Sequence, residues 1–517
     1  MKQSHLIAVN TLIIWGTTAL QTLPPLILVP FLIRSLGDSG YGQYALIWSL
    51  LMAIEQLEVA LQSGGIKYGA AYMAQGRTDD LNKVLSSISV FSGGLGLLAG
   101  LAIVAAALVG YRGTPEMRTS LIIVALMMVL LVPTTPYLGI IRAKQRHYIC
   151  SVFGIAAQFG GLLLVVLWFK AVGPSVEALI AILAGTLLVS RLIQVPIAHR
   201  LVPGLRNRPR FFDGAIFRQV LAFGTVSVLV ALCLGVNGTG IRWMSGLMVS
   251  TAFVAHLAIF LMPGNMVSQI LGAMTVTVMP AASGYHSTDN AEMLRELLLK
   301  TTRYIAVIVG AVLAAAVLVV RPVLRLWVGP EYQFLTPYVL INMTGMGILL
   351  STSCAHQMLK GIGRLRQVLV AYVAGLAAVP AAVFLAAFLI WKKPYAAVSA
   401  ALLLGNIVAA AIQITASARA VGLKGLRLAV RGYLQPLAPA AVVLALAAAA
   451  TTLRGWDGLL VRLALGGLAA ALVFGAFYFV VADAGERRQF REFILMLRGR
   501  VTGLFGGPTP SEADPDV

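Results

Sequence analysis

Long apolar stretches recur along the chain from Leu6 to Val481, and short polar connections separate them. An α-helix needs about 20 apolar residues to cross the hydrocarbon core of a bilayer. Stretches of that length are centred near residues 20, 58, 97, 130, 159, 185, 230, 262, 311, 347, 379, 406, 443 and 470. The pattern predicts an all-α polytopic membrane protein with about 14 transmembrane helices.

The composition supports a membrane protein and excludes several other classes. Only 11% of the 517 residues are charged and the mean hydropathy is +0.88, whereas soluble domains carry about 25% charged residues. The net charge of +20 resides in short connections rather than in a basic stripe with aromatics, so we expect no nucleic-acid partner. Cys150, Cys233 and Cys354 have no paired spacing, which indicates packing residues rather than a metal site or a disulfide.

The basic residues also predict the orientation. Of the 39 Lys and Arg residues, 26 lie at the N-terminus, in every second connection or after the last span. Because cytoplasmic connections carry the excess of positive charge, we expect both termini to be cytoplasmic. No targeting segment is predicted, since the first apolar run is too long for a signal peptide.

Two parts of the chain resemble each other at a distance of about 210–220 residues. "AYMAQGRTDDLNKVLSSISV" from Ala71 has a counterpart in "AASGYHSTDNAEMLRELLLKTTRYI" from Ala281. Six spans separate the copies, so both keep one orientation and form two pseudo-symmetric lobes. The predicted division is residues 1–200 (N-terminal lobe), 201–218 (basic cytoplasmic linker), 219–418 (C-terminal lobe), 419–484 (two additional helices) and 485–517 (amphipathic and disordered cytoplasmic tail).

The second predicted span carries charges that are costly at the bilayer centre. Glu55, Glu58 and Gln62 share one helical face, whereas Lys67 lies on the opposite face and about 13 Å closer to the cytoplasm than Glu58 at 1.5 Å per residue. Two carboxylates at mid-membrane favour proton or Na⁺ binding, or contact with a neighbouring cation. Lys67 is interpreted either as a phosphate ligand or as a side chain that extends to the interface.

Other polar residues occupy faces of the predicted helices. In the first span, Pro24, Pro25 and Pro30 predict a broken or bent helix. "GVNGTGIRW" in the seventh span predicts a weakened helix just before Arg242. The alternative to a cavity lining is hydrogen bonding between helices. The candidate cavity-lining residues are Asn10, Gln21, Gln62, Asn265, Asn342, His356 and Asn406.

Two segments carry a resemblance to a known family. "IRSLGDSGYGQYAL" and "LEVALQSGGIKYGAAYMAQGR" resemble motifs of the polysaccharide-export (Wzx-type) branch of the multidrug/oligosaccharidyl-lipid/polysaccharide (MOP) flippase superfamily. Glu58 matches the acidic position of the family and Lys67 its basic position. The chain departs from the pattern at Val59 and Ala60, where the family has glycine, and Glu55 is additional.

The resemblance implies a MATE-like fold with a positively charged cavity between two lobes. The implied activity is flipping of an undecaprenyl-pyrophosphate-linked oligosaccharide or polysaccharide repeat unit across the bacterial inner membrane by alternating access. The two additional helices are expected to guide the lipid tail. We assign phosphate or glycan binding to Arg34, Lys67, Arg191 and Arg242, and coupling to H⁺ or Na⁺ to Glu58 and Glu55. No metal or other cofactor is expected.

The expected partners are the lipid-linked oligosaccharide, membrane lipids and glycan polymerase or export machinery, and the expected state is a monomer. Two other functions stay open. A MATE-like drug/cation antiporter would favour an acidic cavity. A membrane glycan polymerase or ligase would need a sizeable outer loop with catalytic groups, whereas no connection exceeds about 25 residues and the outer ones carry only scattered acids.

Overall fold

The computed structural model describes residues 3–110, 114–144, 146–275, 278–450, 458–482 and 485–487, and its described part is α-helical without strands. The α-helices are α1 (Gln3–Ala74), α2 (Thr78–Ala105), α3 (Pro115–Leu131), α4 (Thr135–Ala143), α5 (His147–Ala171), α6 (Val176–Leu201), α7 (Gly214–Gly235), α8 (Ile241–Met248), α9 (Thr251–Thr275), α10 (Val278–Ser287), α11 (Ala291–Trp327), α12 (Thr336–Ser351), α13 (Ser353–Gly361), α14 (Leu365–Tyr372), α15 (Val379–Trp391), α16 (Pro394–Ala420), α17 (Gly425–Leu428), α18 (Gln435–Ala450) and α19 (Leu459–Ala476). Segments of π-helix extend or join several of them: Ala106–Gly110, Val236–Gly240, Val373–Ala378, Ala429–Leu434 and Phe477–Val481.

Thirteen segments within the described residues are long and apolar enough to cross a membrane. The first of them, Leu20–Glu58, passes through a break at Gly37, where φ is 68° and ψ is 177°. Glycine adopts this positive φ at little cost because it has no Cβ. At 1.5 Å per residue α1 would be about 108 Å long without the break, so residues 3–36 and 38–74 count as two crossing segments. The prediction of a polytopic α-helical membrane protein is confirmed.

The prolines of the first span do not interrupt the helix. Pro24, Pro25 and Pro30 lie inside α1, and Gly37 is the residue with non-helical φ and ψ. The backbone of a transmembrane helix tolerates proline where neighbouring groups satisfy the freed carbonyls. The predicted break therefore lies between the first two spans rather than within the first.

The helices form two groups that share the long helix α1. In the first group, which we call the N-lobe, α1 packs on α2 to α6, α2 on α3, α3 on α6, and α5 on α6. In the second group, the C-lobe, α9 packs on α12, α12 on α16, and α15 on α16. Contacts of α1 with α7, α8 and α9 join the lobes. Helices α18 and α19 pack against α11, where small residues such as Gly310 and Gly466 allow close approach.

The linker between the lobes is attached to α2 by hydrogen bonds. Asn82 bonds to the backbone of Gly204 and Arg206, at 3.2 and 2.7 Å. Asp213 ends the linker and caps α7, because its carboxylate accepts hydrogen bonds from the backbone N–H groups of Ile216 and Ala215. These bonds, together with Lys83 at 3.7 Å, hold the pKa of the Asp213 carboxyl below its ordinary value. The linker therefore has a fixed path across the N-lobe.

Candidate functional site

A cavity of about 270 Å³ lies where α1 faces α8 and α9, between the two lobes. Its wall combines amide and hydroxyl groups, aromatic rings and one guanidinium group. The residues that line this central cavity include Gln21, Thr22, Tyr41, Tyr44, Trp48, Ser49, Arg242, Asn265 and Gln269. Three of the residues that the sequence nominated, Gln21, Asn265 and Arg242, therefore meet at one site.

The position of Arg242 depends on an irregular segment of the seventh span. Val236–Gly240 forms a π-helix between α7 and α8, in the stretch whose glycines predicted a weakened helix. The Thr239 hydroxyl donates a hydrogen bond of 2.8 Å to the carbonyl oxygen of Ser49 in α1. Segments of π-helix occur often at functional sites, since they redirect the residues that follow them. This one leads directly into α8 and places Arg242 in the cavity wall.

Arg242 is half-buried, and no carboxylate of the described residues lies within salt-bridge distance of its side chain. A guanidinium group without a carboxylate beside it leaves a net positive charge in a partly desolvated cavity. Such a charge attracts anions and repels cations, and the planar guanidinium group suits a phosphate or a carboxylate.

Three aromatic side chains follow one another along the cavity side of α1. The ring centroids of Tyr41 and Tyr44 are 6.1 Å apart, and those of Tyr44 and Trp48 are 5.8 Å apart. Their spacing of three and four residues places them on one helical face. Tyrosine and tryptophan offer a rigid apolar face with a polar edge, so this wall suits a ligand with both apolar and hydrogen-bonding groups.

The two carboxylates of the second span meet an arginine inside the N-lobe. Nη2 of Arg191 in α6 lies 3.2 Å from Oε2 of Glu58 and 3.8 Å from Oε1 of Glu55. Glu58 is almost fully buried, with 5% of its side chain exposed, whereas Glu55 retains 35%. The shared face of Glu55 and Glu58 thus contacts a neighbouring cation, one of the two arrangements that the sequence allowed.

A pocket of about 220 Å³ adjoins this ion pair and is lined by Glu55, Arg142 and Arg191. Nη1 of Arg142 donates a hydrogen bond of 2.6 Å to Oε1 of Gln62. Nη1 of Arg191 is buried and has no hydrogen-bond partner. We call this space the N-lobe pocket. It carries two guanidinium groups and one carboxylate in its wall, and it shares Trp48 and Met52 with the central cavity.

The other nominated residues lie outside the wall of the central cavity. Arg34 and Lys67 are exposed, and Lys67 Nζ lies 5.3 Å from the centre of the Tyr68 ring. Gln62 belongs to the N-lobe interior with Arg142. Asn342 and Asn406 are buried in the C-lobe at 3% exposure each.

His356 packs against Tyr372 at a centroid distance of 5.2 Å within the C-lobe. The Asn10 side chain is not among those that the structure describes. The roles assigned to these residues remain predictions.

The two lobes also meet at the predicted outer side of the membrane. Asp38, at the start of the second half of α1, lies 3.0 Å from His256 Nε2 and accepts a hydrogen bond from the Tyr332 hydroxyl. His256 Nδ1 lies 2.5 Å from the Tyr395 hydroxyl. His256 in α9 and Tyr332 in the 3₁₀ segment Pro330–Leu335 thus contact the Asp38 carboxylate of α1, and Tyr395 in α16 contacts His256.

The helices α1 and α9 approach each other closely beside this cluster. The hydroxyls of Ser39 and Thr251 are 2.9 Å apart, and a Cβ at Gly42 would collide with the backbone of Thr251. The absence of a side chain at Gly42 therefore allows the lobes to touch at this end.

Several of these residues were not nominated from the sequence. Tyr41, Tyr44 and Trp48 share a helical face, and that pattern in an apolar span is a usable signal for a cavity wall. The contact of Asp38 with His256 joins residues 218 positions apart, and no local pattern indicates it. The same holds for Arg191 and Glu58, which are 133 positions apart.

The sequence matches no known protein-family model and no curated protein. Comparison with solved structures, in contrast, finds extended similarity. An inward-facing multidrug resistance MATE family transporter of the MOP superfamily aligns with a TM-score of 0.64 and 16% identity, over 80% of this chain and 98% of that one. Lipid II flippase MurJ in an inward closed conformation aligns with a TM-score of 0.65 and 11% identity, over 91% and 99%. A MATE protein in complex with MaL6 aligns with a TM-score of 0.61 and 15% identity, over 81% and 96%.

The fold is therefore that of MATE transporters and of MurJ, which confirms the predicted MATE-like architecture. At 11 to 16% identity the similarity concerns the fold alone. The chain is a multi-pass membrane protein of this fold.

Proposed function

We propose that the protein is a flippase that moves a lipid-linked oligosaccharide or polysaccharide repeat unit, carried on undecaprenyl pyrophosphate, across the bacterial inner membrane by alternating access. The observation that carries the proposal is Arg242, a half-buried guanidinium group in the cavity between the lobes with no carboxylate of the described residues beside it. A pyrophosphate needs such donors when it leaves water, since charge-assisted hydrogen bonds replace its hydration.

The rest of the cavity wall suits the sugar. Gln21, Asn265 and Gln269 offer amide donors and acceptors, and Tyr41 and Trp48 offer aromatic faces beside them. A glycan presents hydroxyl groups together with apolar C–H faces, so it can use both kinds of contact. A purely hydrocarbon ligand would leave the amides without partners, which costs free energy.

We propose that the N-lobe ion pair couples this movement to an ion gradient or to the membrane potential. Glu58 and Glu55 share Arg191 as a partner. A proton or Na⁺ that binds the carboxylates competes with the guanidinium group and shifts the contacts between α1 and α6. Such a change biases the two conformations only if the ion binds one of them more tightly.

Transport in proteoliposomes tests the proposal directly. With a radiolabelled undecaprenyl-pyrophosphate oligosaccharide, wild-type protein should move the glycan to the opposite leaflet, where a membrane-impermeant glycosidase or lectin detects it. Arg242→Ala should reduce the rate by at least tenfold, and Arg242→Lys should retain part of it because the charge stays while the planar geometry is lost. Lys67→Ala tests the second predicted phosphate ligand in the same way.

Folding must be controlled separately. Arg242→Ala and Lys67→Ala should elute at the wild-type position in size-exclusion chromatography. Wild-type transport by well-folded Arg242→Ala would remove the residue from phosphate binding and with it the main support for a flippase.

The second candidate is a MATE-like antiporter for cationic drugs. The observation that favours it is the pair of carboxylates in the N-lobe beside a pocket, since MATE transporters share the fold. Arg242 argues against it, because a cationic drug in the central cavity would face an uncompensated positive charge. Exchange of a fluorescent organic cation for protons in the same proteoliposomes, without movement of the lipid-linked glycan, would favour the antiporter.

A further inference from the structure

A groove on the outside of the N-lobe is open toward the membrane between α5 and α6. It encloses about 570 Å³, and its wall is almost entirely apolar. Small side chains create the space, among them Ala156 and Ala157 in α5 and Ala181 and Gly185 in α6. Hydrocarbon from the bilayer must fill such a groove, so the question is whether a specific chain occupies it.

The groove adjoins the N-lobe pocket. Ala157, Thr186 and Ser190 line both spaces. The pocket behind this shared wall contains Arg142 and Arg191, and Nη1 of Arg191 has no hydrogen-bond partner. Arg191 has Glu58 and Glu55 as partners, so the donors left for a ligand are its Nη1 atom and the guanidinium group of Arg142, which bonds to the neutral Gln62. An apolar groove that meets such donors complements an amphiphile with a long hydrocarbon chain and an anionic end.

The length of the groove distinguishes two kinds of lipid. On α6 it extends from Ala181 to Ile193, which corresponds to about 18 Å at 1.5 Å per residue. One leaflet contributes only about 15 Å of the hydrocarbon core. A phospholipid that stays in its leaflet needs no more than that, whereas a chain whose head changes leaflets needs a path across the midplane.

We propose that the groove between α5 and α6 binds the polyprenyl chain of the lipid-linked substrate, and that its phosphate end lies at the N-lobe pocket before it passes Trp48 and Met52 to reach Arg242 in the central cavity. This inference rests on the proposed function, from which it takes the class of lipid. It differs from the expectation that the two additional helices guide the tail, because α18 and α19 pack on α11 in the C-lobe. The chain would remain in contact with one lobe while the head moves through the cavity.

Photocrosslinking from a matched pair of leucines tests the groove. Leu164 lines it at 48% exposure, and its neighbour Leu163 is 58% exposed but lies outside it. A benzophenone amino acid at either position faces lipid at the same depth. With a radiolabelled polyprenyl diphosphate in vesicles of phosphatidylethanolamine and phosphatidylglycerol, Leu164→benzoyl-Phe should label at least fivefold more strongly than Leu163→benzoyl-Phe.

Equal labelling at the two positions would overturn the proposal. Competition would also overturn it if excess unlabelled phosphatidylglycerol abolishes the labelling at Leu164 while excess unlabelled polyprenyl diphosphate leaves it unchanged.

Filling the groove gives a second measurement. Ala181→Trp should slow transport at least fivefold while Leu163→Trp does not, and equal rates for both variants would also overturn it. If wild-type protein moves no lipid-linked glycan, the proposed function fails, whereas selective labelling at Leu164 would still locate a polyprenyl site.

Discussion

The interiors of the two lobes differ in charge. The N-lobe buries an ion pair between Arg191 and Glu58, with Glu55 beside it. In two long parts of the C-lobe, residues 219–288 and 332–418, the sequence has no Asp or Glu. Around α12 and α16 its described interior uses neutral groups instead, such as the hydrogen bond of 2.7 Å from the Thr352 hydroxyl to Gln413. The buried ion pair of Arg303 with Glu486, at 3.2 Å, lies apart from these helices, where α11 meets the segment that follows α19.

This difference separates two tasks within one fold. Buried charges are costly to desolvate and respond to ions, whereas neutral hydrogen bonds are cheaper and insensitive to a gradient. We infer that the N-lobe contains the ion-responsive machinery and that the C-lobe contributes a stable framework, together with Arg242, to the central cavity. Four predictions test this division of roles.

The largest effect is expected from joining the lobes covalently. The Ser39 and Thr251 hydroxyls are 2.9 Å apart, so Ser39→Cys with Thr251→Cys should form a disulfide under oxidising conditions. Transport should then fall to the background of empty vesicles, because the lobes can no longer separate at this end. The measurement is the transport rate before and after a reductant, which should restore it.

The single cysteine variants serve as controls and should respond to neither oxidant nor reductant. A fully crosslinked protein that still transports at the wild-type rate would show that the lobes do not separate here. The division of roles would then lose its mechanical basis.

The next largest effect concerns the stability of the N-lobe. Arg191→Met leaves the buried Glu58 carboxylate without its partner, and removing one member of a buried pair costs about 3–5 kcal/mol. The variant should unfold at a clearly lower temperature in detergent, as followed by fluorescence-detected size-exclusion chromatography. Adding Glu58→Gln to Arg191→Met should recover much of the loss, since no unpaired charge then stays buried. If the double variant unfolds at a lower temperature than Arg191→Met alone, the ion pair between Arg191 and Glu58 is contradicted.

The sequence was sufficient for much of the architecture and for part of the site. The hydropathy of each span is a local property, so the helices and the repeated lobes could be predicted without a structure. The faces of α1 followed from the helical period, which separated Glu58 from Lys67. Gly37 rather than the prolines marks the break in α1, because proline within a membrane helix can keep helical geometry.

Contacts between distant residues could not be predicted in this way. The assignment of Arg191 to phosphate stays a prediction, but its contact with Glu58, across 133 positions of sequence, was not foreseen. The partner of a buried charge depends on how helices pack, and a single sequence does not contain that information. Arg242 lines the central cavity, and the glycines before it are a local signal for the irregular helix at that point. Its assignment to phosphate binding stays a prediction.

The third prediction concerns coupling and distinguishes the lobes by function. Glu58→Gln keeps the shape of the side chain but replaces the carboxylate by a neutral amide, which cannot bind a proton or Na⁺ as the carboxylate does. Transport should therefore become independent of an imposed ion gradient, with the stimulation by the gradient falling to a factor of about one. His356→Gln in the C-lobe is the matched change and should leave the stimulation intact. If Glu58→Gln transport still follows the gradient, coupling does not depend on this carboxylate.

The smallest effect is expected in the neutral interior of the C-lobe. Gln413→Leu removes the acceptor of the Thr352 hydroxyl, but that hydroxyl also lies 2.7 Å from the Leu349 carbonyl oxygen and can keep this bond. A neutral hydrogen bond contributes about 1 kcal/mol to stability, so Gln413→Leu should destabilise the protein by about that amount and leave transport within twofold of wild type. The same thermal assay that measures Arg191→Met provides the comparison. If Gln413→Leu is as destabilising as Arg191→Met, the charge of the N-lobe interior is not what distinguishes the lobes energetically, and packing volume becomes the better explanation.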